Sequence, residues 1–272
     1  KPYAVHFVWT YGNNFGKAHR MREYMYFHDP PEYYNEGRYI TVDITRPETP
    51  RGFNGWNDTL AMVDFHMTAM QAQLKQMYYA FAMAYISSRT LVLPRLVCHC
   101  IHNWFESPQC RLPGESLTKF PMTCPTDYVF DMPTLYSMLV NMRRIKFREY
   151  SWLENPRTAQ KYKQPPGVVV RADANATKPE HQQDKKSGRW QVVLPRKFRD
   201  FDIVSELDKH RHEPVVHVHN PAELFHKFTF PHIQQDFDEL MSKLGIRWCC
   251  LPVDLMKKLN IKEEGRWLKV AP

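Results

Sequence analysis

The stretch from residue 58 to 87 constrains this chain most. Met62, Phe65, Ala69 or Met70, Leu74, Met77, Phe81 and Tyr85 recur every three or four residues. That spacing places them on one face of a helix. Asn57 or Asp58 stands where an N-cap is wanted. The methionine and aromatic stripe reads as a core face rather than a cofactor box. After Ser87-Ser88 the chain turns apolar, Arg89-Thr90-Leu91-Val92-Leu93-Pro94, and a proline closes the run. A long helix feeding a short apolar strand is half of an α/β crossover unit.

The flanking segments repeat that alternation. Residues 3–10 read as a buried strand rich in aromatics, followed by a turn at Tyr11-Gly12-Asn13-Asn14. A short helix is expected between Gly16 and Phe27, stopping before Asp29-Pro30-Pro31. A short strand is expected near Tyr39 to Ile44. Val192 to Pro195, Val215 to Val218 and Ile246 to Leu251 are further strands, and Pro221 to Leu244 is one or two helices. Helices alternating with short apolar strands predict an α/β layer fold. Residues 155–190, with Pro165-Pro166-Gly167 and two lysine patches, read as a basic surface insertion.

Charge is uneven. Of the net +8, residues 143–199 carry fifteen Lys/Arg against five Asp/Glu, so the rest of the chain is slightly acidic. A basic segment suits phosphates, an anionic glycan or an acidic partner, though most such runs are solvated loops. No nucleic-acid-binding motif accompanies it, so nucleic acid is not expected as a partner. No run of apolar residues is long enough to span a membrane. Cys98, Cys100, Cys110 and Cys124 fall in a proline-bearing stretch without C-x₂-C spacing. They read as disulfide cysteines of an oxidising compartment, with zinc binding and reduced, buried thiols as weaker alternatives. The sequons at Asn57 and Asn175 agree with a lumenal setting.

For chemistry, the segment Gly12 to Arg22 stands out. Gly16 before a short helix would point N–H groups at a phosphate, with Lys17, His19, Arg20 and Arg22 as further diphosphate donors. His6, ten residues upstream of Gly16 on the expected strand, is a metal-ligand candidate. A carboxylate pair for a divalent cation is poorly represented. Asp200 and Asp202 have Asp-x-Asp spacing but do not end an apolar strand, and Asp236 and Asp238 lie in a helical pattern where they point apart. His217 and His219 would share one face of a strand, which reads more simply as a strand without a ligand than as a metal pair.

Taken together, the blocks resemble the C-terminal half of plant and algal glycosyltransferase family 77 proteins of the extensin arabinosyltransferase type. They are Tyr3-Ala4-Val5-His6, Gly16 to Glu23, Asp29-Pro30-Pro31-Glu32-Tyr33-Tyr34, the helix with Arg89 to Pro94, Phe120-Pro121, Cys124 to Phe130, Arg148 to Ser151 and Trp248-Cys249-Cys250. The helix and strand together also look like the opening unit of O-fucosyltransferase-type Rossmann domains. Ala18 and Tyr128 depart from the family pattern, which tends to basic residues and histidine there, as does Thr10, where the family has glutamine. The resemblance implies a Golgi enzyme moving arabinofuranose from a UDP-sugar donor onto a hydroxyproline-rich glycoprotein of the cell wall, with Mn²⁺ held by an Asp-x-Asp motif upstream of this chain. It implies that residues 1–55 form the C-terminal edge of a GT-A-like nucleotide-sugar domain and a connector. Residues 56–272 would then be a Rossmann-like α/β accessory domain with long loops. His6 would complete the metal shell and Gly16 and Lys17 would touch the diphosphate, so the isolated chain would be inactive. The alternative is a non-catalytic binding subunit that uses its basic segment.

Overall fold

The computed structural model describes residues 4–8, 10–103, 107–137, 145–248 and 267–272. Along the chain come α1 (Asn13–Glu23), α2 (Glu32–Asn35), β1 (Tyr39–Val42), α3 (Thr59–Ser87), β2 (Thr90–Val92), β3 (Val97–Cys98), β4 (Met122–Thr123), α4 (Met132–Tyr136) and β5 (Phe147–Arg148). Then follow α5 (Gln160–Lys163), β6 (Val168–Asp173), β7 (Glu180–Gln183), β8 (Trp190–Pro195), β9 (Phe198–Arg199), α6 (Asp200–Asp208), β10 (Val215–Val218), α7 (Pro221–Leu224), β11 (Phe225–Lys227) and α8 (Pro231–Ser242).

Seven strands form one sheet in the order β5-β2-β1-β10-β6-β8-β7. All neighbours in it run parallel except the edge hairpin of β7 with β8. The fold is therefore mixed α/β around a mostly parallel sheet. Strand β1 leads through α3 to its parallel neighbour β2, which completes the crossover unit. The strand after β1 lies on one side of it, and every sheet strand from residue 168 onward lies on the other. Two stretches of chain thus build two halves of the sheet, which meet at β1 and β10.

Helix α3 begins where the sequence expects. Asp58 accepts hydrogen bonds from the N–H groups of Leu60 (2.9 Å) and Ala61 (3.1 Å), satisfying two donors of the first turn. Met62, Met70, Leu74, Met77 and Phe81 are fully buried. The expected single stripe widens in the second half of the helix, where Ala80, Phe81, Ala82, Met83 and Ala84 are all buried. There α3 is enclosed by the sheet on one side and by α6, α7 and Phe237 of α8 on others, so no side is left for water. No helix among the described residues is long and apolar enough to cross a membrane.

The opposite face of the sheet is covered over its first row and, on β2, at Val92 of the second. Tyr39 stacks on Trp152 (4.2 Å between centroids) and meets Tyr162 edge-on (4.8 Å), with Tyr34 and Val215 beside them. Buried Arg89 donates to the carbonyls of Glu213 (2.7 Å) and His210 (3.1 Å), tying β2 to the approach to β10.

Two expectations fail here. Residues 4–8 are not in a strand, and Val5 and Val8 are about half exposed. An apolar alternating run becomes a strand only beside a partner edge, and none is beside it among the described residues. Residues 155–190 are not only surface loop. Within them β6 lies between β10 and β8, with Val168 and Val170 fully buried. The run Val168-Val169-Val170 is a parallel-strand signal that the surrounding lysines obscure. Of the last expected strand, Arg247 forms a single bridge to Trp267, and residues 249–251 lie outside the described residues.

Candidate functional site

Helix α1 carries most of the expected donor-site residues, and apart from Lys17 its charges are engaged within the fold. Arg20 donates through Nε to Asp127 (2.9 Å) and through Nη2 to the same carboxylate, beneath the Tyr128 ring. Arg22 forms a two-point pair with Asp29 (2.8 and 2.6 Å) and lies over Phe27 and Tyr33. His19 is buried, with Nδ1 2.8 Å from the Tyr136 hydroxyl. The N–H of Gly16 is bonded to the Gly12 carbonyl (3.0 Å), so it is not free for a phosphate. Both glycines serve close packing. A side chain at Gly16 would strike the Tyr11 carbonyl, and one at Gly12, which is left-handed (φ 81°), would strike Met132. Only Lys17 and His6 are exposed, and His6 lies in the irregular N-terminal segment rather than at a strand centre. The structure thus brings Gly16, His19, Arg20 and Arg22 into one buried contact set with α4 and residues 126–128, and leaves His6 and Lys17 outside it.

Glu23 anchors this set. It accepts from the N–H (2.9 Å) and hydroxyl of Thr126, while its Oε2 has no hydrogen-bond partner. Arg20 lies 3.6 Å from it, but that guanidinium is spent on Asp127. Burial outweighs the Thr126 bonds and pushes the Glu23 carboxyl up from 4.5 to about 8. Burial, reinforced by Arg22 and Arg20, pushes His19 down from 6.5 to about 3. His66, its ring tilted against Trp248 (4.0 Å between centroids), is also lowered to about 3 by burial, with His99 and His102 adding to the shift.

These shifts predict a stability maximum near pH 6.5. Between about pH 4.5 and 8 folded Glu23 holds a proton that the unfolded chain has lost, so its contribution falls as pH rises. Between about pH 3 and 6.5 folded His19 and His66 lack a proton that the unfolded chain binds, so theirs falls as pH drops. His99, His210 and His217, also lowered by burial, act with those histidines, and Asp127 and Glu149, raised by burial, act with Glu23. From pH 6.5 to 8 the loss should be about 2 kcal/mol. Melting temperatures measured from pH 5 to 8.5 check this. Glu23→Gln should flatten the alkaline side, and a flat wild-type profile there would show that Glu23 is ionised when folded.

The carboxylate pairs expected to be poor metal sites are occupied in other ways. Asp200 accepts from Thr229 (2.8 Å from N–H, 2.6 Å from Oγ1) and Asp202 from the Arg199 N–H (3.3 Å). Asp238 accepts from Tyr78 (2.6 Å), on a different side of α8 from exposed Asp236. Of the histidine-rich region, His210 bonds His181 (2.8 Å), which in turn bonds Glu206 (2.6 Å), near the amino end of β10.

At the other end of the sheet, His217 and His219 do share a face of β10, and a residue with no local sequence signal joins them. Thr41 of β1 pairs in register with His217, so Asp43, two residues on, lies level with His219 on the same face. Asp43 Oδ1 is 3.2 Å from His217 Nε2, and Asp43 Oδ2 meets His219 Nδ1 in a close hydrogen bond. Desolvation raises the Asp43 carboxyl, but bonds to both imidazoles outweigh it and hold it below the usual carboxylate range. The carboxyl ends of parallel strands, where the sheet's two halves meet, are the usual ligand crevice of open α/β sheets.

All four cysteines of residues 95–124 are paired, Cys98 with Cys124 and Cys100 with Cys110. Cys249 and Cys250 lie outside the described residues. The sequon asparagines Asn57 and Asn175 are both exposed, each in a non-helical segment.

No family model matches the chain. Over 160 residues, 57% of this chain, it is 38% identical to Arabinosyltransferase XEG113 of Arabidopsis thaliana, and the match covers 24% of that protein's length. The chain is therefore similar to about a quarter of that protein.

Proposed function

We propose that this chain is part of an arabinosyltransferase-like glycosyltransferase of the secretory pathway, and that it forms the accessory α/β layer of the enzyme. The 38% identity to Arabinosyltransferase XEG113 over 160 residues carries the reading. Two disulfides and two exposed sequons support a Golgi lumenal setting. The donor would be a UDP-arabinofuranose and the acceptor a hydroxyproline-rich cell-wall glycoprotein of the extensin type, as in glycosyltransferase family 77. A GT-A-like domain would lie upstream, with the segment ahead of β1 at its edge, and the sheet described here, whose central strand β1 falls within residues 1–55, would be the Rossmann-like unit. The carboxylates that hold Mn²⁺ for the donor diphosphate would also lie upstream, because Asp200, Asp202 and Asp238 are engaged within the fold. Lys17 and His6 are the groups left exposed to meet that donor.

The test compares residues 1–272 with a protein extended at its N-terminus by the upstream domain of an arabinosyltransferase relative. Transfer of arabinose from UDP-arabinofuranose to an arabinosylated hydroxyproline peptide is expected from the extended protein and not from residues 1–272 alone. Lys17→Ala should raise KM for the donor about tenfold, as loss of one charge-assisted phosphate contact of about 1.4 kcal/mol would. Transfer by residues 1–272 alone would overturn the reading. Extended protein that folds but binds a glycan without transferring arabinose would favour the non-catalytic subunit.

A further inference from the structure

The cluster at the carboxyl ends of β1 and β10 is a chemical centre of its own, and its case does not depend on the transferase reading. We propose that Asp43, His217 and His219 form a binding site for one divalent first-row ion of the imidazole-preferring kind, such as Zn²⁺ or Co²⁺. Each residue offers one ligand atom, and the three atoms lie within 4.8 Å of one another. An ion with bonds of about 2.0–2.2 Å needs its ligands about 3–3.5 Å apart. The 3.2 Å between Asp43 Oδ1 and His217 Nε2 already meets that spacing.

The ligands are held by rigid backbone. The Asp43 N–H is bonded to the Val218 carbonyl (3.2 Å), and the His219 N–H to the Val170 carbonyl (2.8 Å). All three residues therefore continue the ladder of the sheet's central strands and do not hang from a mobile loop. His217 is also oriented from behind. Its Nδ1 is 2.9 Å from the Thr41 hydroxyl. In the tautomer that donates Nδ1–H to Thr41, the Nε2 lone pair faces Asp43, the arrangement by which a second-shell group fixes a metal-binding imidazole.

Exposure grades along this face. The Tyr39 and Val215 row is covered by Trp152 and Tyr162, the Thr41 and His217 row is half-buried, and the side chains of Asp43 and His219 are 56% and 47% exposed. An ion here would have three protein ligands and a solvent-facing side with open positions for water or an anionic oxygen. Two imidazoles and one carboxylate favour Zn²⁺ or Co²⁺ over Mg²⁺ or Ca²⁺, which take oxygen ligands almost alone. The Mn²⁺ of the proposed donor site, held by upstream carboxylates, is a separate ion.

Residues 1–272 titrated with Co²⁺ should develop visible d–d absorption that saturates at one equivalent and is displaced by Zn²⁺. Asp43→Asn and His219→Gln change exposed side chains, so they should keep the wild-type circular dichroism while weakening Co²⁺ affinity at least tenfold. Thr41→Val keeps all three ligands and should weaken it about tenfold through loss of orientation alone. Equal Co²⁺ and Zn²⁺ affinities in wild type, Asp43→Asn and His219→Gln would overturn the proposal. So would a wild-type protein that binds neither ion more tightly than about 1 mM, and the cluster would then be an ion pair only.

Discussion

Asp127→Ala should destabilise the protein by about 3–5 kcal/mol, the usual cost of removing one partner from a buried ion pair. Asp127 is 1% exposed and accepts three hydrogen bonds, two from Arg20 and one from the Tyr11 N–H (2.8 Å). Without it the Arg20 guanidinium stays under the Tyr128 ring with Glu23 3.6 Å away, and Glu23 is largely protonated at neutral pH because of its own burial. The Tyr11 N–H loses its acceptor one residue before the Gly12 cap of α1. Both losses act on the helix that carries Lys17, so donor-side geometry should loosen together with the fold. Urea denaturation of wild type, Asp127→Ala, Arg20→Ala and the double variant Arg20→Met/Asp127→Leu tests the idea. The apolar pair should be less harmful than either single change, because it leaves no buried charge without a counter-charge. A loss under about 1 kcal/mol in Asp127→Ala would mean that apolar packing against α4, not the ion pair, seats α1.

Replacing Cys98 and Cys124 by serine, or Cys100 and Cys110, should cost about 3 kcal/mol in each case. The bridges close loops with sequence separations of 26 and 10 residues, so the first should matter slightly more. Among the described residues between Pro94 and Phe130 the regular structure is slight, with β3 and β4 two residues each. All four cysteines are buried in the main core beside Phe120 and Leu96. This segment also carries Asp127, so losing the bridges should free the counter-charge of Arg20. Thermal melts with and without reductant, run on wild type and both double-serine variants, measure the effect. If reduction leaves the wild-type melting temperature unchanged, the core alone holds the segment.

Local signals in the sequence were good guides where they had local causes. The α3 stripe and its Asp58 cap and the apolar strands β2, β8 and β10 each depend on neighbours a few residues away. The buried strand β6 was hidden because lysines on both sides outweigh three valines in any compositional window. Residues 4–8 misled for the opposite reason. They have strand-like residues, but strand structure depends on a partner that residue type does not encode. The basic face of α1 looked like a phosphate site because charge was visible and its counter-charges were not. Asp29 is seven residues from Arg22, but Asp127 is 107 residues from Arg20.

His217 and His219 could be placed on one strand face from their spacing, because alternation in a strand is a local rule. Asp43 could not be joined to them, because 174 residues separate it from His217 and only the parallel register of β1 against β10 sets Thr41 opposite His217. The sequence by itself determined the α/β class, the core helix and the apolar strands β2, β8 and β10, since backbone sterics and hydrophobic periodicity act over a few residues. Tertiary structure alone decided which charges are neutralised and which donor atoms converge, since those outcomes depend on strand order and burial, both set by contacts between distant parts of the chain.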